Sequence, residues 1–214
     1  MPIPTTLNPA DKAPNATLSG GDLTVTTTTT PYSAVRSTTS KSAGNFYFEV
    51  TVNSVGGSGA SSVGVALSGA ALTSIVGVDT FGVGWSNYSG GSFYYNNTTD
   101  IFSIGSASAG DVFGIAGSVG SLEVWIRRNG GVWNARLGAD PASDLLGLND
   151  AGAYNSGLNT ILTGPLFAMV SVYDNSELTL NFGATAFAYT PPVGFPAWDA
   201  APSPSGQFFM GQII

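Results

Sequence analysis

The chain has 214 residues, 43% of them hydrophobic, with four Trp, eight Tyr and twelve Phe, which is material for one large core; a second independent domain is not expected. Only 9% are charged, against roughly 25% in a typical soluble domain, and the net charge is −7; the six basic residues (Lys12, Arg36, Lys41, Arg127, Arg128, Arg136) cluster only at Arg127 and Arg128, which excludes a phosphate-neutralising nucleic-acid surface. With no Cys and no His, disulfides, thiolate or imidazole metal sites, a cysteine nucleophile and a Ser-His-Asp triad are excluded together.

In chain order, the start, MPIPTTLNPADK, lacks a basic stretch followed by an apolar core, so no secretory signal is expected. No apolar run approaches the roughly 20 residues that span a membrane, so no membrane insertion is expected either. Residues 1–15, with Pro2, Pro4, Pro9 and Pro14, read as an extended arm. Edge strands are predicted over 17–18 and 22–28, then a strand over 32–37 with Arg36 in solvent. The clearest strand is 44–53: Phe46, Phe48, Val50 and Val52 share one face, and Tyr47, Glu49, Thr51 and Asn53 the other. Truncating Phe48 is therefore expected to cost more than truncating Tyr47. A strand over 63–67 follows, then a small-residue crossover over 68–79 with room for a turn or two of helix capped by Ser68. Strands are predicted over 81–86 and 93–96, a loose stretch over 101–109, and strands over 112–116 and 122–127 ahead of an Asn129-Gly130 hairpin signal. Asp140, Pro141 and Gly147 outline a one-turn helix. A polar loop carries Tyr154, and strands over 166–173 and 177–182 read as a last hairpin turning at 174–176. Regular strands bounded by Gly, Ser and Asn clusters make the fold all-β and antiparallel.

The order of these pieces carries a resemblance. A Tyr-Phe-Glu-Val strand at 47–50 precedes a Val-Gly strand, a crossover with Val-Gly-Val-Asp, a Phe-Gly-Val-Gly-Trp strand at 81–85 and a Tyr-Tyr-Asn-Asn strand at 94–97. Gly-Asp-Val-Phe-Gly-Ile at 110–115 then leads to Asn129-Gly130, and Asn181-Phe182-Gly183 with Pro191-Pro192 and Gly194-Phe195 closes the pattern. Over about 18–198 this resembles the SPRY domain, in the versions found in bacteria and their phages. The resemblance implies a two-sheet antiparallel jelly-roll sandwich of the concanavalin-like lectin/glucanase type. It divides the chain into an arm at 1–15, the sandwich at 16–198, and a proline-rich strap with an apolar tail at 199–214.

That superfamily includes glycan hydrolases, so carboxylates matter. A retaining glycosidase needs two carboxyls about 5–5.5 Å apart and an inverting one about 6.5–9.5 Å. The three glutamates, Glu49, Glu123 and Glu177, fall on different predicted strands, and no strand carries acids at alternate positions. Glu49 and Glu123 read as solvent-face residues that pair with Arg127. Asp140, Asp144 and Asp150 lack the dense alternation of a calcium loop, and the glycine-rich stretches lack the Lys-Ser/Thr of a phosphate loop. No enzyme activity, metal or cofactor is expected.

Binding is the better-supported chemistry, because exposed aromatics beside amides and hydroxyls hold sugar rings and peptide side chains alike. The candidates are Asn87, Tyr88, Tyr94, Asn96 and Asn97 around one turn, with Trp133 and Tyr154 on other loops, whereas Trp85 reads as core. The resemblance places binding in loops at one edge of the sandwich. Together with the charge-poor, cysteine-free composition, it points to a non-enzymatic module on a phage virion, in a fibre, adhesion or decoration protein that recognises a host-surface glycan or protein. A purely structural virion component is the alternative, and a leaderless bacterial cytoplasmic or extracellular protein the alternative location. Five prolines over 191–204 predict a semi-rigid strap, and the uncharged end, with Phe208, Phe209, Met210, Ile213 and Ile214, is expected to dock, on its own sandwich or, preferably, on another subunit of a homo-oligomer or particle.

Overall fold

The computed structural model describes residues 3–57, 59–95, 98–121, 123–144 and 164–200, and Asn96, Asn97, Tyr154 and the apolar end at 207–214 lie outside these. In chain order the strands are β1 (Leu7–Lys12), β2 (Thr17–Ser19), β3 (Thr24–Thr26), β4 (Ser33–Lys41), β5 (Asn45–Val55), β6 (Ser62–Ala66) and β7 (Gly82–Ser86). They continue with β8 (Ser92–Tyr95), β9 (Thr98–Ser103), β10 (Val112–Ser118), β11 (Glu123–Arg128), β12 (Leu166–Val172) and β13 (Ser176–Asn181). They form a seven-stranded sheet of order β1-β4-β12-β6-β7-β8-β9 and a six-stranded sheet of order β11-β10-β5-β13-β3-β2. This is the expected all-β sandwich of two antiparallel sheets.

Strand alternation sets the core. Phe46, Phe48, Val50 and Val52 of β5 face Val63, Val65, Val83 and Trp85 of the other sheet. Trp85 is fully buried, with its ring 4.2 Å from that of Phe113. Trp198 closes one end of the core: its ring meets Phe46 at 4.8 Å and Phe48 at 5.4 Å, and its Nε1 donates to Thr39 Oγ1 at 3.0 Å.

Both outward faces are also covered, which the alternation alone does not reveal. Over the seven-stranded sheet lies the crossover at 67–81, which consists of turns rather than the expected helical turn. Its backbone is tied down: Ala34 N donates to Leu72 O at 2.8 Å, Val76 N to Ser62 Oγ at 2.9 Å, and Arg36 Nη1 to Ala70 O at 2.7 Å. Arg36, expected in solvent, is thereby buried, and its Nε and Nη2 grip both carboxylate oxygens of Asp11 at 2.8 Å. Glycine permits this close approach. Gly77 has φ +88°, and a Cβ there would stand 2.1 Å from Tyr94 O; a Cβ at Gly84 would meet Val76 at 2.9 Å.

Over the six-stranded sheet lie 129–144 and the returning segment 183–200. Tyr47 N donates to Pro196 O and Trp198 N to Tyr47 O, each at 2.8 Å. Tyr47, Trp125, Trp133 and Phe195 form a second buried cluster, with Phe187 edge-on to Tyr47 at 4.9 Å. The face expected to meet solvent is therefore covered at Tyr47 and Glu49, while Thr51 is half-buried and Asn53 exposed; Glu49 and Glu123 are buried on it.

Other differences have local causes. Residues 7–12 of the expected arm are β1, because Leu7 reaches the main core and Ala13 N bonds Ala34 O at 2.8 Å. The first three residues of the loose stretch, 101–103, belong to the end of β9, the opposite edge of the same sheet. β12 and β13 are not a hairpin: the turn at Asp174 and Asn175, both with positive φ, carries the chain from one sheet to the other. Asn129-Gly130 makes a tight turn, with φ 52° and 66°, but leads into a 3-10 turn at Trp133–Ala135 instead of a strand. There the Asn134 side chain takes a strand's place along β11, accepting from Ile126 N at 2.8 Å and donating to Val124 O at 3.3 Å. Asp140 caps a shorter 3-10 turn, Pro141–Ser143, through Ala142 N.

Candidate functional site

The pairings of β4, β12, β6 and β7 align their ends. Ser33 pairs with Val172, Ser171 with Ser62, and Ser62 with Ser86. One or two residues beyond these strand ends, in loops at the same end of the sheet, the chain places Tyr32, Tyr173, Ala60 and Tyr88. With Ser74, Ile75 and Val78 of the crossover they line a cleft of about 500 Å³. The Tyr32 and Tyr173 rings stand 4.7 Å apart, tilted by 43°. Tyr88, on a 3-10 turn (Tyr88–Gly90), is 57% exposed at the rim. No side chain lining the cleft carries a charge.

Burial, and then the neighbouring phenols of Tyr88, Tyr173 and Tyr94, push the Tyr32 hydroxyl up to about 12. It stays neutral, able both to donate and to accept. The unfolded chain releases this proton near 10.0 and the folded one near 12. The stabilisation is therefore complete below about pH 10 and is lost as pH rises through 12. Titration followed by phenolate absorbance is expected to show a component near pH 12 that Tyr32→Phe removes. Persistence of that component in the variant would assign it elsewhere.

Of the residues singled out in the sequence, the cleft takes Tyr88. Tyr94 lies beside it under the crossover, 7% exposed, close enough to act on Tyr32. Asn87 is buried, and its Oδ1 accepts from Ala107 N at 2.8 Å, so its side chain holds a loop rather than facing a ligand. Trp133 sits on the other sheet, beneath the Arg127 guanidinium at 4.3 Å, and is not part of the cleft. Tyr32 and Tyr173 were not legible as site residues. Each stands beside a turn signal (Pro31; Asp174-Asn175), but only the β4–β12 pairing joins them.

Glu49 and Glu123 do not form a glycosidase pair. Through β10, Glu49 is level with Arg127, and Glu123 with Asn45, four residues further along β5. That separation is about 13 Å along the strands, beyond either catalytic spacing. Glu49 is also occupied: it accepts from Tyr47 Oη at 2.8 Å, Ala188 N at 2.7 Å and Tyr189 N at 2.9 Å. Arg127 turns to Thr190 O at 2.6 Å. Among the described residues no group of three or more Asp and Glu stands together as a metal site.

No protein-family model matches the chain, and no curated protein matches it. Solved structures do. The SPRY domain of human HERC1 aligns with a TM-score of 0.60 at 13% identity, over 84% of this chain and 99% of that one. A human SPRY domain aligns at 0.58 and 17%, over 80% and 98%, and the TRIM65 PSpry domain at 0.58 and 16%, over 83% and 91%. The chain therefore has the SPRY fold, as the order of its sequence motifs implied.

Proposed function

We propose that this chain is a non-catalytic binding module that takes a segment of a partner protein into the tyrosine cleft. The observation that carries the reading is the cleft itself: three tyrosines and three aliphatic side chains gathered from distant strands at one loop end, with Tyr88 left in water. Aromatic residues supply large contact area at low entropic cost and dominate protein interfaces. The lining favours a protein over a glycan. A sugar brings many hydroxyls, each needing a partner once dehydrated, and the side chains here offer only three phenols and Ser74. The charge-poor, cysteine-free composition and the phage-type resemblance support display on a virion that recognises a host-surface protein.

Tyr88→Ala is expected to weaken partner binding by about 1–3 kcal/mol with an unchanged Tm. Binding of the labelled protein to host cells should fall after protease treatment of the cells and survive periodate. The reverse pattern would make the ligand a glycan, and unaltered binding by Tyr88→Ala would remove the cleft from recognition. A purely structural virion component is the second reading. It is favoured by exposed Val132, Leu137 and Val193 on the segments that cover the six-stranded sheet. It predicts the chain in purified particles with no affinity for cells.

A further inference from the structure

The four strands that end in the tyrosine cleft also build a second concavity at their other ends. Ser40 is the last residue but one of β4, Phe167 the second of β12, Leu67 follows β6 and Phe81 precedes β7; with Ser68, Gly69, Gly164 and Pro165 they line a groove of about 440 Å³. Its floor is apolar, and the Phe81 ring lies over Gly69, where a Cβ would approach to 3.1 Å. Phe81 is 41% exposed at this groove. None of the lining side chains is charged.

The chain supplies an occupant of matching chemistry. Its last described stretch is pinned beside the groove: Trp198 Nε1 bonds Thr39 Oγ1 on the inner face of β4, the Lys41 ammonium stands 5.7 Å from the Trp198 ring, and Asp199 accepts from Thr5 N. Ser40, between Thr39 and Lys41, is the groove's own wall. From Ala200 the sequence continues as Ala201-Pro202-Ser203-Pro204-Ser205-Gly206 and then Gln207-Phe208-Phe209-Met210-Gly211-Gln212-Ile213-Ile214. The first six residues can extend roughly 20 Å, enough to pass from one face of a strand to the other. The next eight are uncharged and rich in large apolar side chains, like the groove. Tethering at Ala200 gives them a millimolar-range effective concentration there.

We propose that the segment 207–214 docks into this groove of its own chain, with Phe208 and Phe209 against Phe81, Leu67 and Phe167. The segment is then a self-docking strap rather than the inter-subunit contact preferred from the sequence. The proposal does not rest on the tyrosine cleft, which lies at the other end of the sheet.

Because the chain has no cysteine, the test can be made on the full-length protein with two introduced thiols. Ser68→Cys with Met210→Cys, treated with a short thiol cross-linker, should give a linked monomer at a rate independent of protein concentration. That link should form about tenfold faster than in a Leu137→Cys/Met210→Cys control, whose thiols have no such proximity. Adding Phe209→Ser should slow it towards the control. A covalent dimer whose yield rises with concentration would assign the segment to a neighbouring copy and overturn the proposal. A rate equal to the control would overturn it as well, leaving the groove to another occupant. Phe81→Ser in the cross-linking background must also slow the link, and no effect would place the segment elsewhere.

Discussion

Phe48→Ala is expected to lower the unfolding free energy by about 3–5 kcal/mol, and Tyr47→Ala by a comparable amount. Both rings are fully buried, Phe48 among Trp198, Phe182 and Phe46 between the sheets, Tyr47 against Phe187 under the returning segment. Alternation along β5 had placed Tyr47 on a solvent face and predicted the smaller loss there. What equalises the two is residues 183–200, which cover the part of the outward face around Tyr47. Urea denaturation of both variants decides the point: a Tyr47→Ala midpoint close to wild type would mean that the segment leaves this face readily in solution.

Glu49→Ala is expected to be similarly costly, about 3–5 kcal/mol, since it orphans three donors at about 1–3 kcal/mol each. Glu49 is 3% exposed and binds Tyr47 Oη, Ala188 N and Tyr189 N, so one carboxylate fastens the returning segment to the sheet. Burial, followed by the bond to Glu49 and its charge, holds the Tyr47 hydroxyl well above its usual range, so it remains a donor at any ordinary pH. Glu49→Gln should be intermediate, because its amide brings two N–H donors to a site that already consists of donors. The measurement is denaturant unfolding together with proteolysis at 183–200, which should accelerate in Glu49→Ala before the core opens. Wild-type values in both assays would show that the carboxylate contributes nothing to the latch.

These two results bear on what the sequence could reveal. The inward face of β5 was legible because four apolar residues alternate over its length, and the strand order followed from the SPRY-like motifs. Coverage of the opposite face was not legible, since the pattern of β5 says which residues share a face but not whether distant residues return across it. β1 and β9 escaped notice as edge strands, whose polar, proline-tolerant sequences (Asn8-Pro9-Ala10-Asp11; Thr98-Thr99-Asp100) carry little alternation. The turn at 174–176 announced a reversal but not a change of sheet. The site was half visible for the same reason: Tyr88 stands in a glycine-rich turn, while Tyr32 and Tyr173 come together only through the pairing of Ser33 with Val172, distant in sequence.

Asn134 has a consequence for how copies of this protein can meet. Sheets in crowded assemblies are prone to fuse along open edges, and charged residues normally prevent it. Here charges make up 9% of the chain, and on the β11 side Arg127 and Arg128 are supplemented by an amide that occupies backbone groups a neighbouring strand would need. Copies packed side by side must therefore join through side-chain surfaces along that rim. Loss of this amide would release Ile126 N and Val124 O to such a neighbour.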